Sequence, residues 1–458
     1  MGRLTPAGTL RRHLEGILTA AVNAVEPAAA VRAAVRITGG RLRIGHRSYD
    51  LKRVKRLLVV GGGKANAPMA AALEAILGDR ITGGLISVKY GHAVPLRRVE
   101  VVEAGHPLPD AMGQQAAERI LEIAGQAEGH DLVICLISGG GSALLPAPVP
   151  GLGLRQKVAL TDLLLRSGAA IQEINTVRKH LSRIKGGRLA EAAAPAQVAV
   201  LVLSDVPGNP LDAIASGPAA PDPTTFDQAL EIIRRYGLET RIPPPALDHL
   251  RRGARGEVPE TPKPGDAVFR RVHTVVIGSN EHAARAAANA ARRRGYRTLL
   301  LTTFLEGEAR EAARVFAAVA RSVQDAGVPL RPPACILAGG ETTVTVRGEG
   351  RGGRCQEFTL AAAQAIRGRR RTLVAAFGTD GTDGPTDAAG ALADGTTVDR
   401  ARRAGLDPAE ALARNDAYPF FSALGDLIIT GPTRTNVNDL YVALIGKTPG
   451  GGPRRPTR

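Results

Sequence analysis

The residues best placed to do chemistry are cations and carboxylates that follow glycine turns at the ends of apolar runs. Lys64 follows Gly61, Gly62 and Gly63, directly after the run Leu57–Val60. A strand that feeds a glycine turn and then a helix lets backbone N–H groups approach a phosphate or carboxylate, and the helix start adds a favourable dipole. The turn is not a P-loop, because Lys64 is followed by Ala65 and not by Ser or Thr. It is not a dinucleotide fingerprint either, since the third glycine position falls on Asn66. The pattern recurs. Leu132–Ile137 runs into Ser138, Gly139, Gly140, Gly141 and Ser142, and Val198–Leu203 runs into Ser204, Asp205 and Val206-Pro207-Gly208-Asn209. In the second half, Cys335–Ala338 leads to Gly339, Gly340 and Glu341, and Leu373–Phe377 leads to GTDGTDGPTDAAG. Ordinary connectors need one or two breakers each, so this series of glycine-rich strand ends points to a ligand site.

Each candidate has a structural alternative. Asp380, Asp383 and Asp387 are spaced so that they can converge on a hard cation such as Mg²⁺, or they form a surface turn. Ser142 is a ligand or a helix N-cap, and the missing closing glycine argues against a GxSxG nucleophile. Asp205 is a catalytic carboxylate or a turn residue bonding its own backbone. Arg354 follows Gly352 and Gly353 at an expected helix start, in a chain rich in arginine. His106 lies in the proline-locked loop GHPLPD, where it touches substrate or holds the loop. Cations, amide-rich turns and carboxylates suit phosphoryl transfer, in which positioning and charge neutralisation do most of the work. Hydride transfer fits less well: the second strand, Leu85–Val88, ends in Lys89-Tyr90-Gly91-His92 with no carboxylate for a ribose.

Short Val/Ile/Leu runs alternating with alanine-rich segments predict parallel strands with crossover helices. The expected strands are Leu57–Val60, Leu85–Val88, Val99–Val102, Leu132–Ile137 and Val198–Leu203, then Thr274–Ile277, Thr298–Thr302, Cys335–Ala338, Thr342–Val346, Leu373–Phe377, Leu427–Ile429 and Leu440–Ile445. The proline- and glycine-rich run Arg241–Asp266 reads as a linker without helix or central strand. The chain is thus expected to fold as α/β in two domains: residues 1–255, residues 266–447, and a disordered tail, 448–458. The net charge of +17 raises nucleic-acid binding as an alternative class. Scattered basic residues and few aromatics favour a solvated charged face instead. Three separated cysteines without CxxC spacing exclude a zinc or disulfide framework and suit a reduced cytoplasm. The N-terminus has amphipathic-helix character without a signal-peptide core, and no run of about 18 apolar residues is present, so no membrane span is expected.

VVGGGKA, EAGHPLPD, LISGGGSALLPAP, INTVRKHLSRIKGGRLA, LVLSDVPGNPLDAIASGP, VIGSN, ILAGGETTVTVRG, GGRCQEF, GTDGTDGPTDAAGA and TGPTRTNVNDL occur in this order from about residue 58 to 440. In that series the chain resembles the glycerate 2-kinases whose second half is the MOFRL domain, some of which carry the older label hydroxypyruvate reductase. The resemblance implies a larger Rossmann-like α/β/α N-terminal domain, a smaller α/β MOFRL-containing domain and an active site in the cleft between them. It implies ATP and Mg²⁺ as cofactors and D-glycerate phosphorylated at its 2-hydroxyl, with an NAD(P)H-dependent hydroxypyruvate reductase as the alternative. It also implies a catalytic lysine at Lys64 and a catalytic arginine at Arg354. Asp205 is the candidate general base or Mg²⁺ contact, and Asn280 and Glu341 join the loop residues as candidate binding groups. The partners are then glycerate and a nucleotide, with no nucleic acid and no membrane, and a homodimer is left open. Two positions depart from the family pattern: Cys355 stands where Asn is usual, and Arg434 where Gly is usual.

Overall fold

Strands of Val, Ile, Leu and Ala buried on both faces form the centre of each half of the chain, in a computed structural model that describes residues 6–447. The tail expected at 448–458 lies outside the described residues. The chain forms two compact units: Pro27–Ile277, and a discontinuous unit joining the segment through Glu26 to the chain from Gly278 onward.

The first unit opens with an antiparallel meander, β1 (Val35–Thr38), β2 (Arg41–Ile44) and β3 (Arg47–Asp50), in which Leu42, Ile44 and Tyr49 face inward. Its main sheet contains β4 (Leu57–Gly62), β5 (Gly83–Lys89), β6 (Glu100–Ala104), β7 (Leu132–Ser138), β8 (Gln197–Leu203) and β9 (Val272–Gly278). The strand order is β6-β5-β4-β7-β8-β9, and β4 through β8 pair in parallel. The order reverses between β4 and β7, the doubly wound arrangement in which ligands bind beyond the carboxyl ends of the strands. The two glycine-rich loops of the sequence leave the sheet at that reversal.

The second unit has its own sheet: β10 (Arg297–Leu305), β11 (Ala334–Gly340), β12 (Thr372–Gly378), β13 (Gly390–Asp394), β14 (Leu427–Ile428) and β15 (Asp439–Ile445), in the order β10-β11-β15-β12-β13-β14. Only β10 and β11 pair in parallel, while β15 runs antiparallel to both of its neighbours. The expected parallel alternation therefore fails in this half. A continuous apolar run signals burial on both faces but carries no information about strand direction.

Three further expectations are corrected. The supposed linker holds the helix Pro244–Ala254, whose prolines occupy its first positions, where no intrahelical N–H is needed. Ala246 and Leu250, one turn apart, bury that helix in a cluster with Phe226, Ile233 and Leu238. The segment Thr342–Val346 is not a strand; Thr343 makes one isolated bridge to Glu308. The helix Pro6–Ala24, expected in a continuous domain 1–255, packs along Asn280–Arg293 in the second unit. Its Leu10, Leu14 and Ile17 are buried, as are Ala283, Ala284 and Ala287 of the partner helix. Alanine faces allow such close packing, but nothing in an amphipathic pattern names the surface it will cover. Among the described residues, no single helix is long and apolar enough to cross a membrane.

Candidate active site

In the first unit the glycines are required by close packing. A Cβ at Gly61 would collide with the Leu136 carbonyl, and one at Gly63 with Ser138. Both have strongly positive φ, +148° and +154°. The loop after β7 locks onto the loop after β4: the Lys64 N–H donates to Gly139 O at 2.9 Å. Ser138 Oγ donates to Asn66 Oδ1 at 2.7 Å and accepts from the Ala65 N–H at 3.0 Å. Ser138 is 1% exposed, so its hydroxyl holds the two loops together and does not face a ligand.

Above this frame three side chains gather. A methyl group at Gly140 would lie 2.8 Å from His106 Cδ2 and 3.1 Å from Lys64 Cε, and one at Gly139 would strike the Asp205 carboxylate. Lys64, His106 and Asp205 therefore border one short backbone segment that carries no side chains of its own. The Lys64 ammonium has no ion-pair partner among the described residues. Burial, then the charges of Lys64, Lys89 and His92, pushes His106 down to about 4, so it stands there as a neutral imidazole. Ser142 points the other way: its Oγ lies 2.8 Å from Ser216 Oγ and accepts from Lys185 Nζ at 3.2 Å. Sequence reasoning left His106 open and assigned no role to Lys185, although the quoted stretch INTVRKHLSRIKGGRLA contains it.

In the second unit, sheet register gathers a second group of charged side chains. Because β15 runs antiparallel between β11 and β12, its first residue, Asp439, pairs with Gly340 on one side and Gly378 on the other. Arg354 opens the helix Arg354–Ala365 and grips Asp439 with two bonds, Nε to Oδ2 at 2.6 Å and Nη2 to Oδ1 at 3.0 Å. Its Nη1 meets Glu341 Oε1 at 2.7 Å. Burial works against the guanidinium charge, but the hydrogen bonds and charge of Asp439, with Glu341, outweigh it and hold Arg354 firmly protonated. Asp439 is the residue that sequence reasoning missed, and its signal was the matched motif TNVNDL. Asn280 is a brace: Nδ2 donates to Val437 O and Asp439 O, both at 2.9 Å, fixing the backbone at the start of β15. Cys355 is fully buried, and burial with the carboxylates of Asp439 and Asp383 raises its thiol well above the ordinary range. Its departure from Asn thus leaves Arg354 oriented by Asp439 and Glu341.

The proposed metal triad does not form. Asp383 accepts the N–H groups of Cys355 at 3.0 Å and Gln356 at 2.8 Å, capping the helix that starts at Arg354. Asp380 bonds Thr382 within its own turn, and Asp387 accepts from the Tyr418 hydroxyl at 2.6 Å. Among the described residues no group of three His, Cys, Asp or Glu side chains is placed to hold a metal ion. Spacing of three and four would align carboxylates on a helix, but here the chain is a loop.

Comparisons with known proteins match both halves of the chain. Residues 13–251 match a domain of unknown function (DUF4147), and residues 334–439 match the MOFRL family. A glycerate 2-kinase of Pyrococcus horikoshii is 42% identical, over 93% of this chain and 95% of its own. A putative hydroxypyruvate reductase of Agrobacterium vitis is 49% identical, over 85% of this chain and 87% of its own. The crystal structure of a glycerate kinase from Thermotoga maritima superposes with a TM-score of 0.86 at 41% identity, covering 95% of this chain and 99% of that one. The chain belongs to the DUF4147–MOFRL family of glycerate 2-kinases.

Proposed function

We propose that the protein transfers the γ-phosphoryl group of ATP to the 2-hydroxyl of D-glycerate, giving 2-phosphoglycerate and ADP. The observation that carries this reading is the convergence of Lys64, His106 and Asp205 on the side-chain-free segment Gly139–Gly140 at the strand-order reversal. An ammonium without a counter-ion suits a phosphoryl group, whose transfer spreads negative charge over its oxygens. The Asp205 carboxylate accepts the proton that leaves the 2-hydroxyl as its oxygen attacks phosphorus. The neutral His106 ring orients a hydroxyl without adding charge. In the second unit, Arg354, aimed by Asp439, is a cation of the kind that phosphoryl transfer uses.

Mg²⁺ would accompany the nucleotide and would supply neutralisation of phosphate charge. Such an ion needs only one or two protein carboxylates, which Asp205, bordering the Gly139–Gly140 segment beside Lys64, fits better than the dispersed aspartates of residues 380–387. The relatives named as putative reductases make NAD(P)H-dependent hydroxypyruvate reduction the competing reading. One assay separates the two. Purified protein is given D-glycerate, ATP and Mg²⁺, and the product is read by proton and phosphorus NMR. Phosphorus coupled to the methine proton is the expected result; coupling to the methylene would overturn the position. NAD(P)H oxidation by hydroxypyruvate without any ATP requirement would overturn the kinase reading.

A further inference from the structure

The stretch Val177–Lys185 carries four basic side chains and a histidine, and the structure treats them unequally. Lys179 is neutralised by Asp222 at 2.9 Å and Asp212 at 3.3 Å, and His180 meets Glu260 at 2.9 Å. Lys185 is fully buried, yet its Nζ reaches only neutral oxygens: Ser142 O at 3.0 Å, Ser142 Oγ at 3.2 Å and Ala215 O at 3.3 Å. Arg178, half-buried, has no ion-pair partner among the described residues.

A third cation joins them from the helix Leu154–Arg166. Lys157, Leu160 and Leu164 share one face of that helix, at spacings of three and four. Leu160 and Leu164 pack in a cluster with Ile174, Val177 and Leu181, so Lys157 is carried toward the Arg178 helix. Lys157 is 7% exposed, and its Nζ has no hydrogen-bond partner. Burial and the charge of Arg178 push it down to about 7, and burial with the charges of Arg178 and Lys157 holds Lys185 well below the ordinary lysine range. The nearby carboxylates are already engaged: Asp162 with Arg166, Glu173 with Arg235, and Asp212 and Asp222 with Lys179. A buried cation without a counter-charge is costly, and one of this group, Lys185, lies against a polar wall. Ser216 Oγ, 2.8 Å from Ser142 Oγ, donates to Asn175 Oδ1 at 3.1 Å. Ser142 remains part-exposed and follows Gly140, the glycine bordered by Lys64 and His106, by two residues.

We propose that Lys157, Arg178 and Lys185, with the hydroxyls of Ser142 and Ser216, form an oxyanion subsite that takes the carboxylate of the small acid substrate. The proposal rests on the glycerate reading for the identity of that acid. Through Ser142, two residues beyond Gly140, such a carboxylate would adjoin the segment bordered by Lys64, His106 and Asp205. A phosphate is the other oxyanion with matching chemistry, and the test separates the two.

The variants are Lys157→Met, which removes an unpartnered charge and keeps the packing stem, and Arg178→Gln. Melting temperatures establish that both are folded. Steady-state kinetics are measured with D-glycerate and with ATP varied in turn. Binding of D-glycerate, glycerol and inorganic phosphate to the full-length protein is measured by calorimetry. The expected result is a KM for D-glycerate raised about tenfold or more, with the KM for ATP within about twofold. The wild type should bind D-glycerate but not glycerol, which lacks the carboxylate, and both variants should lose glycerate binding. A raised KM for ATP with unchanged KM for glycerate, or phosphate binding lost without loss of glycerate binding, assigns the subsite to phosphate and overturns the proposal. Unchanged constants in both folded variants also overturn it. If the wild type forms no phosphoglycerate, the kinase reading fails separately, and loss of glycerate binding in the variants still decides the subsite.

Discussion

The two units hold their reactive cations in opposite ways. In the second, Arg354 is clamped by two carboxylates, so its charge is balanced and its fork is fixed in direction. In the first, Lys64, Lys157, Arg178 and Lys185 face no carboxylate within ion-pair distance among the described residues. A balanced cation is a geometric device, because it can be aimed precisely while remaining charged. An unbalanced one stores unfavourable electrostatic energy that an anionic ligand can release on binding. On the proposed reading, positioning then falls to the second unit and anion capture to the first.

Removing either reactive cation gives the largest expected effect. Lys64→Ala lowers kcat by on the order of 10³-fold, and it leaves stability within about 0.5 kcal/mol because the ammonium has no partner to strand. Arg354→Ala lowers kcat similarly but also destabilises, since it leaves Asp439 buried at 1% exposure without its counter-charge. Paired kinetics and denaturant titrations check both halves. Equal stability losses in the two variants would erase the proposed division of labour.

Next in size is Asp439→Asn, which preserves shape but removes one acceptor and the negative charge. Arg354 would then be anchored mainly by the part-exposed Glu341, and a misaimed guanidinium lowers kcat by about 100-fold. Glu341→Gln changes kcat far less, because an exposed ion pair contributes roughly 0–1 kcal/mol. The ratio of the two effects, read from kcat with KM unchanged, tests whether Asp439 is the positioning residue.

A pH prediction separates stored charge from balanced charge. Lys157 has an ordinary pKa of 10.5 in the unfolded chain and about 7 in the folded one, lowered by burial and by Arg178. Between those values the unfolded state binds more protons, so this residue makes stability rise with pH from about 7 to 10.5; below 7 the penalty is present in full. Lys157→Met is therefore more stable than the wild type at pH 7, by on the order of 3 kcal/mol. The gap closes as the pH approaches 10. Denaturation midpoints at pH 7, 8, 9 and 10 give the slope, and parallel curves would show that Lys157 is not held as an unbalanced cation.

The same division explains what could be read from the sequence. Gly61, Gly63 and Gly139 were legible because a Cβ at each would strike a neighbouring residue, so the glycine itself records the close approach. Lys64 and Arg354 were singled out by the motifs beside such glycines, and the proposal carries both forward. Carboxylate direction was not legible: Asp383 turns inward to cap a helix, while Asp380 and Asp387 bond locally. Asp439 gained its role from the register of β15 between two strands distant in sequence, which no local pattern encodes. The unbalanced cluster was hidden for a related reason. Lys179 and Lys185 look alike in the sequence, and only the fold decides that one meets Asp222 and the other meets Ser142.

The smallest predicted effect concerns Arg434, which replaces the family's usual glycine in the segment leading to Asp439. Its φ is +63°, in the left-handed region, and its side chain is exposed. A side chain there costs about 1 kcal/mol relative to glycine, partly offset because glycine makes the unfolded chain more flexible. Arg434→Gly is thus expected to stabilise the protein by roughly 0.5 kcal/mol and to leave kcat and both KM values unchanged. A clear rise in the KM for ATP would instead show that the Arg434 guanidinium contacts the nucleotide. It would then belong with the anion-capturing cations, and the contrast between the two units would be weaker than drawn.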